Sequence, residues 1–301
     1  MPPTTATVLA GPASVDLASK ISNALDASLV IPELKVFADG ESKVRFPAAG
    51  GLCLVVQSTY PPVDTHLMQA MMMARKCKDD GAATVCAVIP YLAYARQDRP
   101  FLEGEFATIS LVAKLLEAAG VSAVITVDMH SRTGMSQFAP IVIDNVSSIP
   151  LLADYAGGMQ LRDPIAVSPD AGGAERVKEF SSLLKCEMLV LSKTRNRSTG
   201  QVTIQDPDRD FGGRDVLLVD DMISSGGSIA AAAQLLRGKG AGRIYAMCAH
   251  ALLIGDASKN LAKAGIDDII STNSIPNQHA KVDLSKSIAK AVLSQYRPRS
   301  T

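Results

Sequence analysis

Short apolar runs rich in β-branched residues recur along the chain at 53–57, 84–89, 123–127, 165–167, 188–191, 216–219 and 244–248. Between them lie segments whose apolar positions follow helical spacing, at 66–78, 109–119, 173–184, 228–238 and 257–264. Apolar runs of about four to eight residues bounded by turn residues fit strands buried on both faces. Their alternation with helices predicts an α/β chain built on parallel sheets. Most of the helical segments stop at a glycine, or at a glycine following a basic residue, as helix ends do.

One junction in this pattern carries chemistry. The run 216–219 leads into Asp220 and Asp221, then Ser224, Ser225, Gly226, Gly227 and Ser228, then an alanine-rich helical segment. Carboxylates at the carboxyl end of a parallel strand lie where ligands bind in open α/β sheets, and they accept hydrogen bonds from vicinal hydroxyls. Paired glycines let backbone amides close on an anion, serines add hydroxyls, and a helix N-terminus points partial positive charge at the same spot. The plain alternative is an ordinary strand-to-helix turn with the Asp pair as caps or solvated charges. The whole pattern predicts a sugar phosphate: its phosphate on residues 224–228, its hydroxyls on Asp220 and Asp221.

The two halves of the chain echo each other. Ala87-Val88-Ile89-Pro90 precedes Val127-Asp128 by about as much as Ala166-Val167-Ser168-Pro169 precedes Val219-Asp220, apart from extra residues around 192–210. That polar, basic segment with Gly and Pro reads as a long mobile loop. On this spacing, residues 127–134 are the first half's counterpart of the phosphate cradle, without its double Asp and double Gly. Two domains follow, residues 1–147 and 148–301.

Composition narrows the setting. The 301 residues carry 30 basic and 30 acidic side chains, so no phosphate-backbone or membrane-surface partner is indicated. The five cysteines are odd in number, form no Cys-x-x-Cys pair and mostly lie in apolar segments, which suits a reducing cytoplasm. Residues 1–15 lack a basic region followed by an apolar core, and no run approaches the roughly 18 apolar residues of a membrane span. The expectation is a soluble cytoplasmic protein with neither nucleic acid nor membrane as partner. No Gly-x-x-x-x-Gly-Lys-Ser/Thr loop occurs, so any nucleotide must be held by separate side chains and metal.

Four further segments stand out. Asp39 and Glu41 flank Gly40 in a turn, where carboxylates accept hydrogen bonds from amino or hydroxyl groups. Arg96 and Gln97 follow an apolar strand and offer donors to phosphates or a base, with an Arg96–Asp98 surface pair as the bland reading. His130 closes a strand at the sheet edge, and Asp170 follows Val167-Ser168-Pro169. As an oxygen donor, Asp170 is the better intrinsic ligand of the two for a hard cation. Lys193, Arg195 and Arg197 lie on the loop, where cations closing over phosphates stabilise charge on a transferred group. Met68, Met71, Met72 and Met73 have helical spacing and read as core or subunit interface.

The cradle resembles the phosphoribosyl diphosphate-binding motif shared by phosphoribosyltransferases and ribose-phosphate diphosphokinases. Together with Phe37-Ala38-Asp39-Gly40-Glu41, Tyr94-Ala95-Arg96-Gln97-Asp98-Arg99, Val127-Asp128-Met129-His130, Ser168-Pro169-Asp170 and Lys193-Thr194-Arg195, the chain resembles the ribose-phosphate diphosphokinase family from about Phe37 to Gly255. A phosphoribosyltransferase would share the cradle but not the first half. The resemblance implies an α/β fold of two phosphoribosyltransferase-type domains, each a mainly parallel five-stranded sheet flanked by helices. It implies transfer of the β,γ-diphosphoryl group of MgATP to the 1-hydroxyl of ribose 5-phosphate. Lys193 and Arg195 would be catalytic. Phe37, Asp39, Gly40, Glu41, Arg96 and Gln97 would bind ATP, with Phe37 stacking on the base. Asp220, Asp221 and residues 224–228 would bind ribose 5-phosphate, and His130 and Asp170 would serve Mg2+. A homo-oligomer, a dimer or dimer-based assembly, is expected. Ser224 stands where the family usually has Asp, and residues 100–105 replace a basic segment that the family associates with regulation.

Overall fold

A computed structural model describes residues 6–195, 202–205 and 208–296, with the backbone alone at 132, 193–195 and 202–204. The chain divides into two compact units: residues 1–147 with 274–276 and 284–301, and residues 148–273 with 277–283.

The first unit contains β1 (Ala6–Ala10), α1 (Val15–Leu25), β2 (Ser28–Val30), β3 (Glu33–Val36), β4 (Ser42–Arg45), β5 (Leu52–Val56), α2 (Val63–Asp79) and β6 (Thr84–Ile89). It continues with α3 (Thr108–Ala118), β7 (Ala123–Val127), α4 (Arg132–Met135) and β8 (Val142–Val146). Six strands form one sheet in the order β2-β1-β5-β6-β7-β8, every neighbouring pair parallel. Leu67, Met73 and Cys77 of α2 and Ile109, Val112 and Leu116 of α3 pack on Cys53, Val55, Val85 and Ala87 of the sheet. Met73 is therefore core, whereas Met68 is exposed.

The second unit contains α5 (Ile149–Gly157), β9 (Ile165–Ser168), α6 (Ala174–Leu184), β10 (Glu187–Val190), β11 (Lys193–Arg195), β12 (Val202–Ile204), β13 (Val216–Ile223) and α7 (Gly227–Gly238). It ends with β14 (Ile244–Ala251), α8 (Ala257–Lys263), β15 (Asp268–Thr272) and β16 (Ala280–Val282). Its sheet runs β10-β9-β13-β14-β15-β16, again all parallel. Period-two alternation sends Leu217, Val219, Tyr245 and Met247 to the face covered by α5 and α6. Val216, Leu218, Ile244 and Ala246 face α7 and α8. With both faces covered, these strands read as unbroken apolar runs.

The last helix, α9 (Ser285–Tyr296), returns to the first unit and packs on α1, β7 and β8. A single cut in the sequence therefore does not separate the two units. Each sheet has six strands rather than the expected five, because short, partly polar edge strands such as Ser28–Val30 join it through backbone pairing that an apolar pattern does not reveal.

Numbered within its own unit, each sheet has the order 2-1-3-4-5-6, and in each a two-stranded antiparallel hairpin, β3-β4 or β11-β12, is inserted between the second and third strands. The duplication expected from sequence is real at this level, but its register is corrected. The third strand of the first sheet is β5, so the counterpart of the cradle after β13 is the segment 57–62 before α2, not residues 127–134. Those follow β7, the equivalent of β15. In that counterpart the Gln57 side chain fills the turn, accepting from Ala13 N at 3.0 Å. A β-carbon at Gly11 would lie 2.1 Å from its Oε1.

Candidate active site

Strand order reverses between β9 and β13, and the crevice at the carboxyl ends of such a pair is where ligands bind in open α/β sheets. Val167 lies opposite Leu218, so Asp170 and the Asp220–Asp221 pair leave neighbouring strands at the same edge. Strand β13 runs four residues further than the apolar run suggests, to Ile223, which puts both aspartates inside its last turns of pleat rather than beyond its end. Asp220 pairs opposite Cys248 of β14.

Asp221 is buried and Asp220 partly so. Asp220 Oδ1 accepts from Asp221 N at 2.8 Å, and Asp221 Oδ1 accepts from Met222 N at 2.9 Å. Burial, then the neighbouring Asp221 charge and its hydrogen bond, pushes the Asp220 carboxyl well above the usual range. Arg176 of α6 opposes this. Its Nη1 donates to Asp220 Oδ1 at 3.2 Å and its Nη2 lies 3.7 Å from Asp221 Oδ2.

Ser224, Ser225 and Gly226 form the turn and Gly227 opens α7, with Ser228 in its first turn. Gly226 has φ +76°, and a β-carbon there would also meet Leu261 at 3.1 Å, so this position requires glycine. The turn is held from behind, Leu252 N and Leu253 N donating to Ile223 O and Ile254 N to Ser224 O. The N-cap position of α7 is Gly226, which has no side chain to offer as a cap. The first helical amides, which lack intrahelical acceptors, and the dipole therefore point to the side where an anion would lie.

Lys193 and Arg195 begin and end β11, which pairs antiparallel with β12 and is closed by Gln205 N donating to Ser192 O at 2.8 Å. Residues 196–201, including Arg197, and 206–207 of the expected loop lie outside the described residues. By topology this hairpin is the equivalent of β3-β4, whose turn carries Phe37, Asp39, Gly40 and Glu41. In that turn Phe37 N donates to Glu41 O at 2.8 Å, Gly40 N to Phe37 O at 3.0 Å and Glu41 N to Asp39 Oδ1 at 3.1 Å. Gly40 supplies the φ of +93° that the turn needs. Phe37 is left exposed, with the Lys35 ammonium 4.9 Å from its ring centre.

Arg96 and Gln97 lie on the connection between β6 and α3, Arg96 exposed and Gln97 partly covered. His130 is exposed three residues past β7. Asp98, whose surface pair with Arg96 was the bland alternative for this segment, is buried and accepts a hydrogen bond from the Ser131 hydroxyl. Ser131 Oγ in turn accepts from Thr133 N at 3.1 Å and caps α4. Asp98 thus ties the Arg96–Gln97 segment to the segment carrying His130. Sequence reasoning missed Arg176 and this role of Asp98. Each looks like a solvated charge until its partner, 44 or 33 residues away, is in place.

Asp170 Oδ1 accepts from Gly172 N at 3.0 Å, the geometry of a cap. Among the described residues no three His, Cys, Asp or Glu side chains converge as a metal cage. Nor is any helix among them long and apolar enough to cross a membrane.

Two all-parallel sheets of one strand order, with an acidic pair and a glycine-serine turn at the switch point of the second, define a chain of two phosphoribosyltransferase-type units. Comparison with known proteins narrows this class. The family model described as the N-terminal domain of ribose phosphate pyrophosphokinase matches residues 6–120, and that described as the phosphoribosyl synthetase-associated domain matches residues 202–295. Ribose-phosphate pyrophosphokinase of Methanopyrus kandleri is 39% identical over 95% of this chain and 98% of that protein. The enzyme of the same name from Sulfolobus acidocaldarius is 37% identical over 95% and 99%. Phosphoribosylpyrophosphate synthetase from Mycobacterium smegmatis superposes with a TM-score of 0.86 at 29% identity, covering 97% of this chain and 99% of that one. The chain belongs to the ribose-phosphate pyrophosphokinase family.

Proposed function

We propose that this chain transfers the β,γ-diphosphoryl group of ATP to the 1-hydroxyl of ribose 5-phosphate, giving 5-phosphoribosyl 1-diphosphate and AMP. The observation that carries this reading is the pairing of Asp220 and Asp221 with the glycine-opened N-terminus of α7 at one sheet edge. The turn at residues 224–228 suits the 5-phosphate and the carboxylates suit the ribose 2- and 3-hydroxyls. Ser224, in place of the family's usual Asp, keeps the backbone amides on which such a site depends.

The 1-hydroxyl oxygen attacks the β-phosphorus, the bond from that phosphorus to the oxygen bridging it to the α-phosphorus breaks, and the hydroxyl proton leaves with AMP as the other product. Lys193 and Arg195 would stabilise the charge spread over the group in flight, and no general base is required for a loose phosphoryl transition state. Phe37, Asp39, Gly40, Glu41, Arg96 and Gln97 would hold ATP. Mg2+ would supply charge neutralisation of the polyphosphate. A hard cation that keeps its waters and takes ATP oxygens needs few protein ligands, and the Asp170 carboxylate is the oxygen donor that suits it, while the family resemblance adds His130 as a second Mg2+ residue.

The exposed apolar side chains Met68, Phe101, Leu102, Phe106, Leu111 and Leu115 support a homo-oligomer. Five free cysteines, four of them buried, suit a cytoplasmic setting. Incubation with ribose 5-phosphate and MgATP, with AMP measured, tests the reading. AMP formed without any nucleobase supports it, a nucleobase requirement indicates a phosphoribosyltransferase, and no turnover indicates a non-catalytic associated subunit.

A further inference from the structure

We infer that Arg176 is a positioning residue for the sugar, holding Asp220 and Asp221 as one oriented pair of acceptors. The inference rests on the sugar-binding role proposed above for those two aspartates. Two carboxylates adjacent in sequence on a strand would normally point to opposite faces of the sheet. Here both come within reach of one guanidinium, at 3.2 Å from Asp220 Oδ1 and 3.7 Å from Asp221 Oδ2. The planar fork of an arginine can address two separate carboxylates at once, which a lysine ammonium does less well. The Arg176 side chain is itself largely covered, at 21% exposed, so solvent screens the contact only in part.

The local chain is shaped for this contact. Arg176 lies in the first turn of α6, just after the Asp170 segment, and reaches across to β13. A β-carbon on Gly173 would come within 3.2 Å of Arg176 Nη1 and 2.4 Å of Ser168 Oγ. Glycine there leaves the guanidinium its path. Arg176 therefore reaches from the helix that follows the Asp170 segment to the strand bearing the acidic pair.

The charge balance around the pair gives the inference a signature. Among the described residues, the charged groups acting on Asp220 are Asp221 on its own strand and Arg176 from α6. From β14, Cys248 lies opposite Asp220 and is held neutral by burial, and His250 lies opposite Met222. Burial and Asp221 favour the protonated carboxyl, and the arginine favours the carboxylate. Sugar hydroxyls donate to carboxylates, so removing the cation should move the acid limb of ribose 5-phosphate affinity to higher pH.

The test uses the full chain as wild type, Arg176→Met and Arg176→Lys, with Michaelis constants for both substrates and calorimetric ribose 5-phosphate affinity measured across pH 5.5 to 9. Arg176→Met should weaken ribose 5-phosphate by about tenfold or more at neutral pH while leaving the ATP constant within about twofold. Its acid limb should lie at higher pH than that of wild type, and Arg176→Lys should restore part of both effects. Equal weakening of both substrates with a lowered melting temperature would make Arg176 a structural prop and overturn the inference, as would an unmoved pH limb. If wild type binds ribose 5-phosphate without forming AMP, the proposed reaction fails, and the calorimetric comparison still decides the role of Arg176. Absence of ribose 5-phosphate binding by wild type would overturn both.

Discussion

Gln97 Nε2 donates to Glu105 Oε2 at 3.2 Å, and the same oxygen accepts from Phe101 N at 2.9 Å and Leu102 N at 3.2 Å. Those two backbone hydrogen bonds lead the causes that hold the Glu105 carboxyl below the usual range. The acidic segment is thereby folded back on Gln97, one of the residues proposed to hold ATP. Glu105→Ala should release the Gln97 side chain and raise the ATP Michaelis constant by about two- to tenfold, the worth of one modest hydrogen bond. The ribose 5-phosphate constant should stay put, and steady-state kinetics with each substrate varied in turn checks the contrast.

Lys193 and Arg195 begin and end β11. Removing either cation should lower kcat by roughly 10²–10³ with little change in ribose 5-phosphate affinity, as loss of a transition-state donor does. Rates within about threefold of wild type would take this hairpin out of the chemistry.

Asp221 is the more buried of the acidic pair. Asp221→Ala should weaken ribose 5-phosphate far more than ATP, because each charge-assisted hydrogen bond to a sugar hydroxyl is worth about 1.5–3 kcal/mol. Calorimetric titration of both ligands measures this, and equal weakening would count against the assignment.

Glu187 on β10 accepts from Arg209 Nη1 at 2.5 Å and from Arg214 Nη1 at 2.7 Å, closing the base of the segment that follows β12. Arg209 first, then Arg214, holds its carboxyl down at about 2. A depressed carboxyl contributes stability above its unfolded value of about 4.3, and that contribution disappears as pH falls toward the folded value. The side chain is 43% exposed, so screening keeps the effect small. Glu187→Gln should melt lower than wild type at pH 7, with the gap closing between pH 4.5 and 2. Circular dichroism melts across that range would show a constant gap if the ion pair were irrelevant.

What could be read from the chain was what contiguous residues decide. The alternation of apolar runs and helical segments is enough for parallel α/β architecture, because both faces of each strand are buried by the helices next in sequence. The cradle was legible for the same reason: Gly226, Gly227 and the start of α7 form an anion site from backbone groups that follow one another. The limits came where pairing is long-range. The apolar run 216–219 stops at Asp220, yet β13 continues to Ile223 because hydrogen bonds to β14, not hydrophobicity, carry it on. Residues 57–62 could not be seen as the counterpart of the cradle, since only strand order makes β5 the equivalent of β13. Arg176, Asp98 and Glu105 are ordinary charges by composition. Their roles exist only once folding brings each of them to its partners.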